Sequence, residues 1–165
     1  MTVLFTHFVK IPIPITRGYV HLGDVAIYFA AFTFGPITAL VAGGVGTAIA
    51  DLISGYSQYA PISLVVHGLQ GLAVGLIAGA LVGGEKQGAG QIIPQWILAI
   101  VLAFLAGSVI LCGGYLIAEI FMYGFGAAIV EVLPNVGQSI VGMVGAIPLT
   151  LTVRKAYPPV RNLRW

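Results

Sequence analysis

The stretch PISLVVHGLQGLAVGLIAGALV, residues 61–82, decides the class of this fold. It opens with a proline, closes on the glycines at 83 and 84, and is apolar for nearly all its length. A helix needs ~20 such residues to cross the ~30 Å of a bilayer's hydrocarbon core. The run therefore reads as a membrane span, yet it carries His67 and Gln70 in its first half. Polar side chains in lipid have to face a partner or a cavity.

The rest of the chain agrees with a membrane setting. Hydrophobic residues make up 59% of the 165 positions, Asp, Glu, Lys and Arg together 7%, and the mean hydropathy is +1.04. Soluble domains are about 25% charged, so this chain lacks the polar surface to hold a globule in water. The 23 glycines and the absence of alternating in/out strands predict helices rather than a barrel. Length and composition predict a single membrane domain over 1–165. A net charge of +2, with no basic patch interleaved with aromatics, argues against nucleic acid. Cys112, the single cysteine, can form no intrachain disulfide and has no Cys/His neighbours that would make a metal site. MTVLFTHF has neither the basic start nor the cleavage pattern of a signal peptide.

Breaks at proline, glycine clusters and charges divide the chain further. An apolar start covers about 2–10, a second segment runs from Asp24 to Phe34 and stops at Gly35-Pro36, and a third runs from Pro36 to about Ile53. After 61–82, a fifth covers about 94–122 and a sixth about 134–153. The expectation is an all-α integral membrane protein of about six transmembrane helices with a short or truncated first helix. Residues 24–34 rise only ~16 Å as helix, so that segment must be extended, tilted or sheltered by its neighbours.

Charge orients the segments. Lys86 in the 83–91 loop and Arg154, Lys155, Arg161 and Arg164 of the tail fall on one side, against Lys10 and Arg17 on the other. The positive-inside rule predicts a cytoplasmic C-terminus, with 154–165 as a basic tail. That orientation gathers Arg17, Tyr19, His21, Asp24, Asp51, Tyr56, Gln58, Tyr59, Tyr123, Glu131 and Asn135 on the outer side. His67, Gln70, Glu119 and Gln138 lie a little deeper in the outer halves of their helices. A carboxylate at a helix centre costs ~2.5–3.5 kcal/mol on insertion scales, so a shared outward pocket is expected. The blander reading of each residue, a helix end or an interhelical hydrogen bond, stays open. The glycines at 43, 44, 46, 71, 75 and 79 predict close helix packing within the protein, or else docking of another membrane subunit.

Catalytic patterns are missing: no serine elbow, HExxH, GxGxxG or Walker A stretch occurs. His7, His21 and His67 with Asp24 and Asp51 match no metal-ligand spacing. The expectation is a non-enzymatic protein without a cofactor or bound metal.

The ordered pieces IPIP-x3-GYVHLGD, FGP, AGGVGTAIADLISGY, APISLVVHGLQGLAVG and GGYLIAEIFMYGFGAAIVEVLPNVGQSIVG carry a likeness. Over about residues 10–155 the chain resembles the substrate-binding S components of energy-coupling factor (ECF) vitamin transporters. The resemblance implies a six-helix S-component bundle in the prokaryotic plasma membrane that captures a water-soluble vitamin or precursor from outside. It implies an outer lid at 11–23, a transmembrane scaffold subunit and two cytoplasmic ATPase subunits as partners, and no chemistry of its own. Its pocket candidates are Arg17, Tyr19, His21 and Asp24 of the lid, and Asp51, Tyr56 and Tyr59 around the end of the third helix. They continue with His67 and Gln70, then Tyr115, Glu119 and Tyr123, then Asn135 and Gln138. The GYxHLGD variety is similar to branches taking pyridoxine-type or hydroxymethylpyrimidine-type compounds. Two departures stand out: the start MTVLFTHFVK lacks the small-residue face that many relatives use to meet the scaffold, and Thr2 stands where metal-specific relatives need histidine. The alternative reading is a stand-alone secondary carrier with Asp51 and Glu119 coupling protons. An intramembrane enzyme using Asp24, His67 and Glu119 is a third.

Overall fold

The computed structural model describes residues 1–82 and 89–163, apart from the side chains of 89–93 and 161. Lys86 and Arg164, used above in orienting the chain, lie outside the described residues. In chain order the elements are α1 (Thr2–Phe8), β1 (Lys10–Ile13), β2 (Gly18–His21), α2 (Gly23–Phe34), α3 (Pro36–Ser54), α4 (Ala60–Val82), α5 (Ala89–Tyr123), α6 (Phe125–Ala156) and a 3-10 turn at Pro158–Asn162. The protein is thus a six-helix membrane bundle. Four of the helices, α3 to α6, are long and apolar enough to cross a bilayer.

The short α2 shows how a sub-length segment survives in such a bundle. Its 12 residues rise ~18 Å. It packs against α1, α3, α4 and α6, and every residue from Gly23 to Thr33 except Val25 is buried. Shelter, rather than extension, is the solution adopted. Tyr28, Phe32, Val74, Ala78, Ala103 and Met143 form the main apolar core around it.

The glycine stripes serve internal contact. A Cβ on Gly43 would come within 2.3 Å of the His67 carbonyl oxygen, and one on Gly71 within 2.3 Å of that of Ala39. Backbone therefore meets backbone where α3 crosses α4, the close approach that small residues permit in lipid. Gly46 instead receives Thr2 of α1.

Three boundaries differ from those expected. The sixth helix begins at Phe125, not near Pro134, and both Pro134 and Pro148 lie inside it. A proline within a helix removes one hydrogen bond, a loss that membrane helices tolerate where neighbours re-satisfy the backbone. The real break is Gly124, whose φ of +85° only glycine adopts at no cost. Upstream, α5 reaches back to Ala89, with Pro94 inside it. The stretch after α1, read as irregular chain, is an antiparallel hairpin pairing Lys10 with His21 and Ile13 with Gly18. Pro12 sits in the two-stranded hairpin, where edge positions accept proline. The turn closes through Arg17 N–H to the Pro14 carbonyl at 3.4 Å, with Arg17 left-handed at φ +53°.

Candidate functional site

An isolated two-stranded hairpin is marginal in water, so what holds this one matters. The Tyr19 hydroxyl donates to Asp51 Oδ1 at 2.5 Å, tying β2 to the end of α3. Thr16 Oγ1 donates to the Glu131 carboxylate of α6, and the Tyr59 hydroxyl donates to the Thr16 carbonyl at 2.8 Å. The His21 N–H donates to Gln138 Oε1 at 2.8 Å. Tyr19 also leans on the Tyr56 ring at 4.5 Å, and Lys10 Nζ stands 5.7 and 5.8 Å from those two rings. The hairpin is thereby pinned over the end of the bundle on three sides.

Beneath it, a cavity of about 320 Å³ of empty space, its mouth included, is lined by Tyr19, His21, Asp51, Tyr59, His67, Tyr115, Glu119, Asn135 and Gln138. Gly18, Ser63 and Glu131 complete the wall. The donors and acceptors arise from helix periodicity, since residues at i, i+4 and i+7 share a face. Ser63, His67 and Gln70 follow that spacing on α4, and Glu131, Asn135 and Gln138 follow it on α6. Tyr115 and Glu119 repeat it on α5.

Asp24 organises the floor from behind. It is fully buried at the first turn of α2. Gln70 Nε2 donates to its Oδ2 at 2.8 Å and Gln138 Nε2 to its Oδ1 at 3.1 Å. A carboxylate in this setting accepts, so both amides are oriented by it. Gln138 then turns its oxygen to the His21 N–H, and Gln70 turns its oxygen to His67 Nδ1 at 2.8 Å. His67 Nδ1 also lies 3.5 Å from Asp24 Oδ1. One buried carboxylate thus sets both amides that flank the histidines.

Outside the spans, burial favours the neutral forms of Tyr19, Tyr59 and His21. Burial, and then the hydrogen bond to Asp51, push the Tyr19 hydroxyl above its ordinary pKa, so it remains a donor. Burial and the neighbouring Glu119 carboxylate do the same to Tyr59. Burial, and then His67, hold His21 well below the ordinary imidazole value. Its Nδ1 accepts the Gly23 N–H at 3.0 Å, which leaves Nε2 to carry the proton.

Five expected residues lie apart from the wall. Asp24 and Gln70 stand behind it, Tyr56 stacks on the outside of Tyr19, and Tyr123 packs at 6.5 Å on the Tyr59 ring. Arg17 is exposed at the hairpin turn and does not line the cavity. Gly18 apart, Glu131 and Ser63 were the wall residues the pocket set left out. Their signal was the i, i+4, i+7 spacing, hidden for Glu131 by starting the sixth helix at Pro134. Among the described residues no three His, Cys, Asp or Glu side chains are grouped so as to hold a metal ion. The arrangement can grip a small molecule by hydrogen bonds and aromatic faces.

The family described as "ECF-type riboflavin transporter, S component" matches residues 1–155. A Lactococcus lactis subsp. cremoris protein named thiamine precursor transporter HmpT is 33% identical over 156 residues, covering 94% of this chain and 82% of that one. A Pyrococcus woesei protein described as an uncharacterized protein in a gap 3′ region is 32% identical over 155 residues, covering 94% and 95%. This multi-pass membrane bundle belongs to the family of ECF-type riboflavin transporter S components.

Proposed function

We propose that the chain is the substrate-capturing subunit of an ATP-driven ECF importer and that its cargo is a small vitamin or precursor built on one heteroaromatic ring, hydroxymethylpyrimidine-like or pyridoxine-like. The observation that carries this is the cavity under the pinned hairpin. Its wall brings aromatic faces and hydrogen-bonding groups together on one space, the make-up of a small-molecule site. Tyr19, Tyr59 and Tyr115 offer faces to such a ring. The carboxylates and amides offer partners for ring nitrogens, amines and hydroxyls. The similarity to a protein named as a thiamine precursor transporter supports the same class.

In this reading the hairpin is the lid, the cavity opens to the outside and the basic tail lies in the cytoplasm, as the positive-inside rule requires. A transmembrane scaffold subunit and two ATPases supply the energy, because the chain has no nucleotide-binding pattern. The test has two parts. Purified protein should bind 4-amino-5-hydroxymethyl-2-methylpyrimidine or pyridoxine in detergent without ATP. Uptake in cells should cease when the partner ATPases are deleted; uptake that survives their loss, and collapses with an uncoupler, would instead indicate a stand-alone carrier.

A further inference from the structure

Three polar atoms of wall residues have no partner: His67 Nε2, Glu119 Oε2 and Asp51 Oδ2. His67 and Glu119 are both fully buried, both line the cavity, and His67 Nε2 and Glu119 Oε2 accept or donate no hydrogen bond within the protein. A buried polar atom left this way costs about 1–3 kcal/mol, so a built site supplies the missing partner when filled.

What that partner must be follows from the protons. Gln70 is oriented by Asp24, so its oxygen faces His67 Nδ1, and the imidazole proton belongs there. With the proton there, Nε2 presents a lone pair to the cavity and calls for a donor on the ligand. Glu119 Oε1 already accepts from the Tyr59 hydroxyl, and its Oε2 stays open to a polar group of the ligand. The charge of the wall points the same way: Asp51, Glu119 and Glu131 bring three carboxyl groups, and no lysine or arginine lines the cavity. On the hairpin, Lys10 sits outside, over the rings of Tyr19 and Tyr56, and Arg17 is exposed at the turn. The first backbone amide of α2, which could have greeted an anion, is taken by His21 Nδ1.

We propose that the cavity discriminates by charge: it admits a neutral or cationic ring compound bearing a hydrogen-bond donor, such as an amine or a hydroxyl, and rejects the phosphate ester of that same compound. This rests on the reading of the cavity as a vitamin-class site. A phosphate dianion would enter a dry space that no lysine or arginine lines, and burying a charge without a partner is strongly unfavourable. Loss of the donor would leave His67 Nε2 unpaired, and sites built around buried polar groups reject such analogues steeply.

Isothermal titration of the full chain in detergent tests this with matched pairs: 4-amino-5-hydroxymethyl-2-methylpyrimidine, pyridoxamine and riboflavin, each beside its phosphate monoester. The expected result is that whichever parent compound binds does so at least about tenfold more tightly than its ester. An ester that binds within tenfold of its parent, or an ester that binds when no parent does, overturns the proposal. In Glu119→Gln, and independently in Glu131→Gln in case one variant folds poorly, the parent-to-ester ratio should shrink; an unchanged ratio in both would remove the carboxylates from the discrimination. If no parent or ester binds, the vitamin reading fails by itself. Native mass spectrometry of the compound that co-purifies then decides the charge question, an anion against the proposal and a neutral or cationic molecule for it.

Discussion

Tyr19 donates its hydroxyl proton to Asp51 across 2.5 Å and so ties the hairpin to the helical bundle. Tyr19→Phe keeps the ring on Tyr56 but leaves a buried carboxylate without its donor. Hydrogen bonds to charged groups contribute about 1.5–3 kcal/mol. Hydrogen exchange at the amides of Gly18–His21 should therefore quicken by about tenfold or more. Unchanged exchange would show that Thr16–Glu131 and Tyr59 alone hold the hairpin down.

Asp24→Asn should damage the fold as well as the site. The new amide can accept from one of Gln70 and Gln138 but presents a donor to the other. At about 1.5–3 kcal/mol lost and about 2–4 °C per kcal/mol for a chain of this size, the apparent melting temperature in detergent should fall by about 5–10 °C. A variant as stable as the parent would mean that Asp24 is not the organiser of the floor.

Asn135→Ala removes a wall amide that lies one helical turn from Glu131. The expected result is about five- to tenfold weaker binding of 4-amino-5-hydroxymethyl-2-methylpyrimidine, the scale of one lost hydrogen bond, with the melting temperature nearly unchanged. Equal affinity in a titration would take Asn135 out of the contact surface.

The two glycine contacts of α3 should respond differently to the same methyl group. At Gly43 it would press on the His67 backbone carbonyl, which cannot rotate away, whereas at Gly46 it would meet the Thr2 side chain at 2.8 Å. Gly43→Ala should lower expression and thermal stability clearly more than Gly46→Ala. The reverse order would contradict the α3–α4 crossing as drawn. Gly46→Leu, by contrast, should dislodge α1.

Acidification should loosen the hairpin. His21 is neutral here because burial, and then His67, hold its pKa well below the ordinary 6.5. A released or unfolded hairpin binds a proton near 6.5, so the docked form loses stability as pH falls below that value toward the depressed one. Tyr19 and Gln138 flank His21, and His67 faces it at 5.2 Å between ring centroids. Ligand affinity measured from pH 8 down to 5 should stay level above about 6.5 and then decline. In His21→Gln the decline should flatten; an identical profile in the variant would assign it to another group.

Much of this was legible in the sequence because lipid imposes strict rules. The spans of α3 and α4 were readable from Pro36 and Pro61, since prolines suit first turns and apolar length has one explanation. The pocket residues could be gathered because a charge such as Glu119 has few places to go in a membrane. The same rules misled at Pro134, where proline was taken as a helix start although a bundle can carry it mid-helix. That placed Glu131 in a loop and concealed its shared face with Asn135 and Gln138. The hairpin was not legible, because KIPI and GYVH are too short for alternation to speak, and their pairing is fixed by tertiary ties to Asp51, Glu131 and Gln138.

The shortness of α2 has a consequence for energetics. A helix rising ~18 Å inside ~30 Å of hydrocarbon begins well below the membrane surface, and Asp24 marks that depth. At its other end, Arg154 of α6 donates to the Phe32 carbonyl at 2.6 Å and stacks over Trp96 of α5. With both ends fastened, α2 acts as a fixed post beneath the cavity. On the reading proposed above, a solute seated there would shed its water at capture, and its release would become the step that needs a driving force.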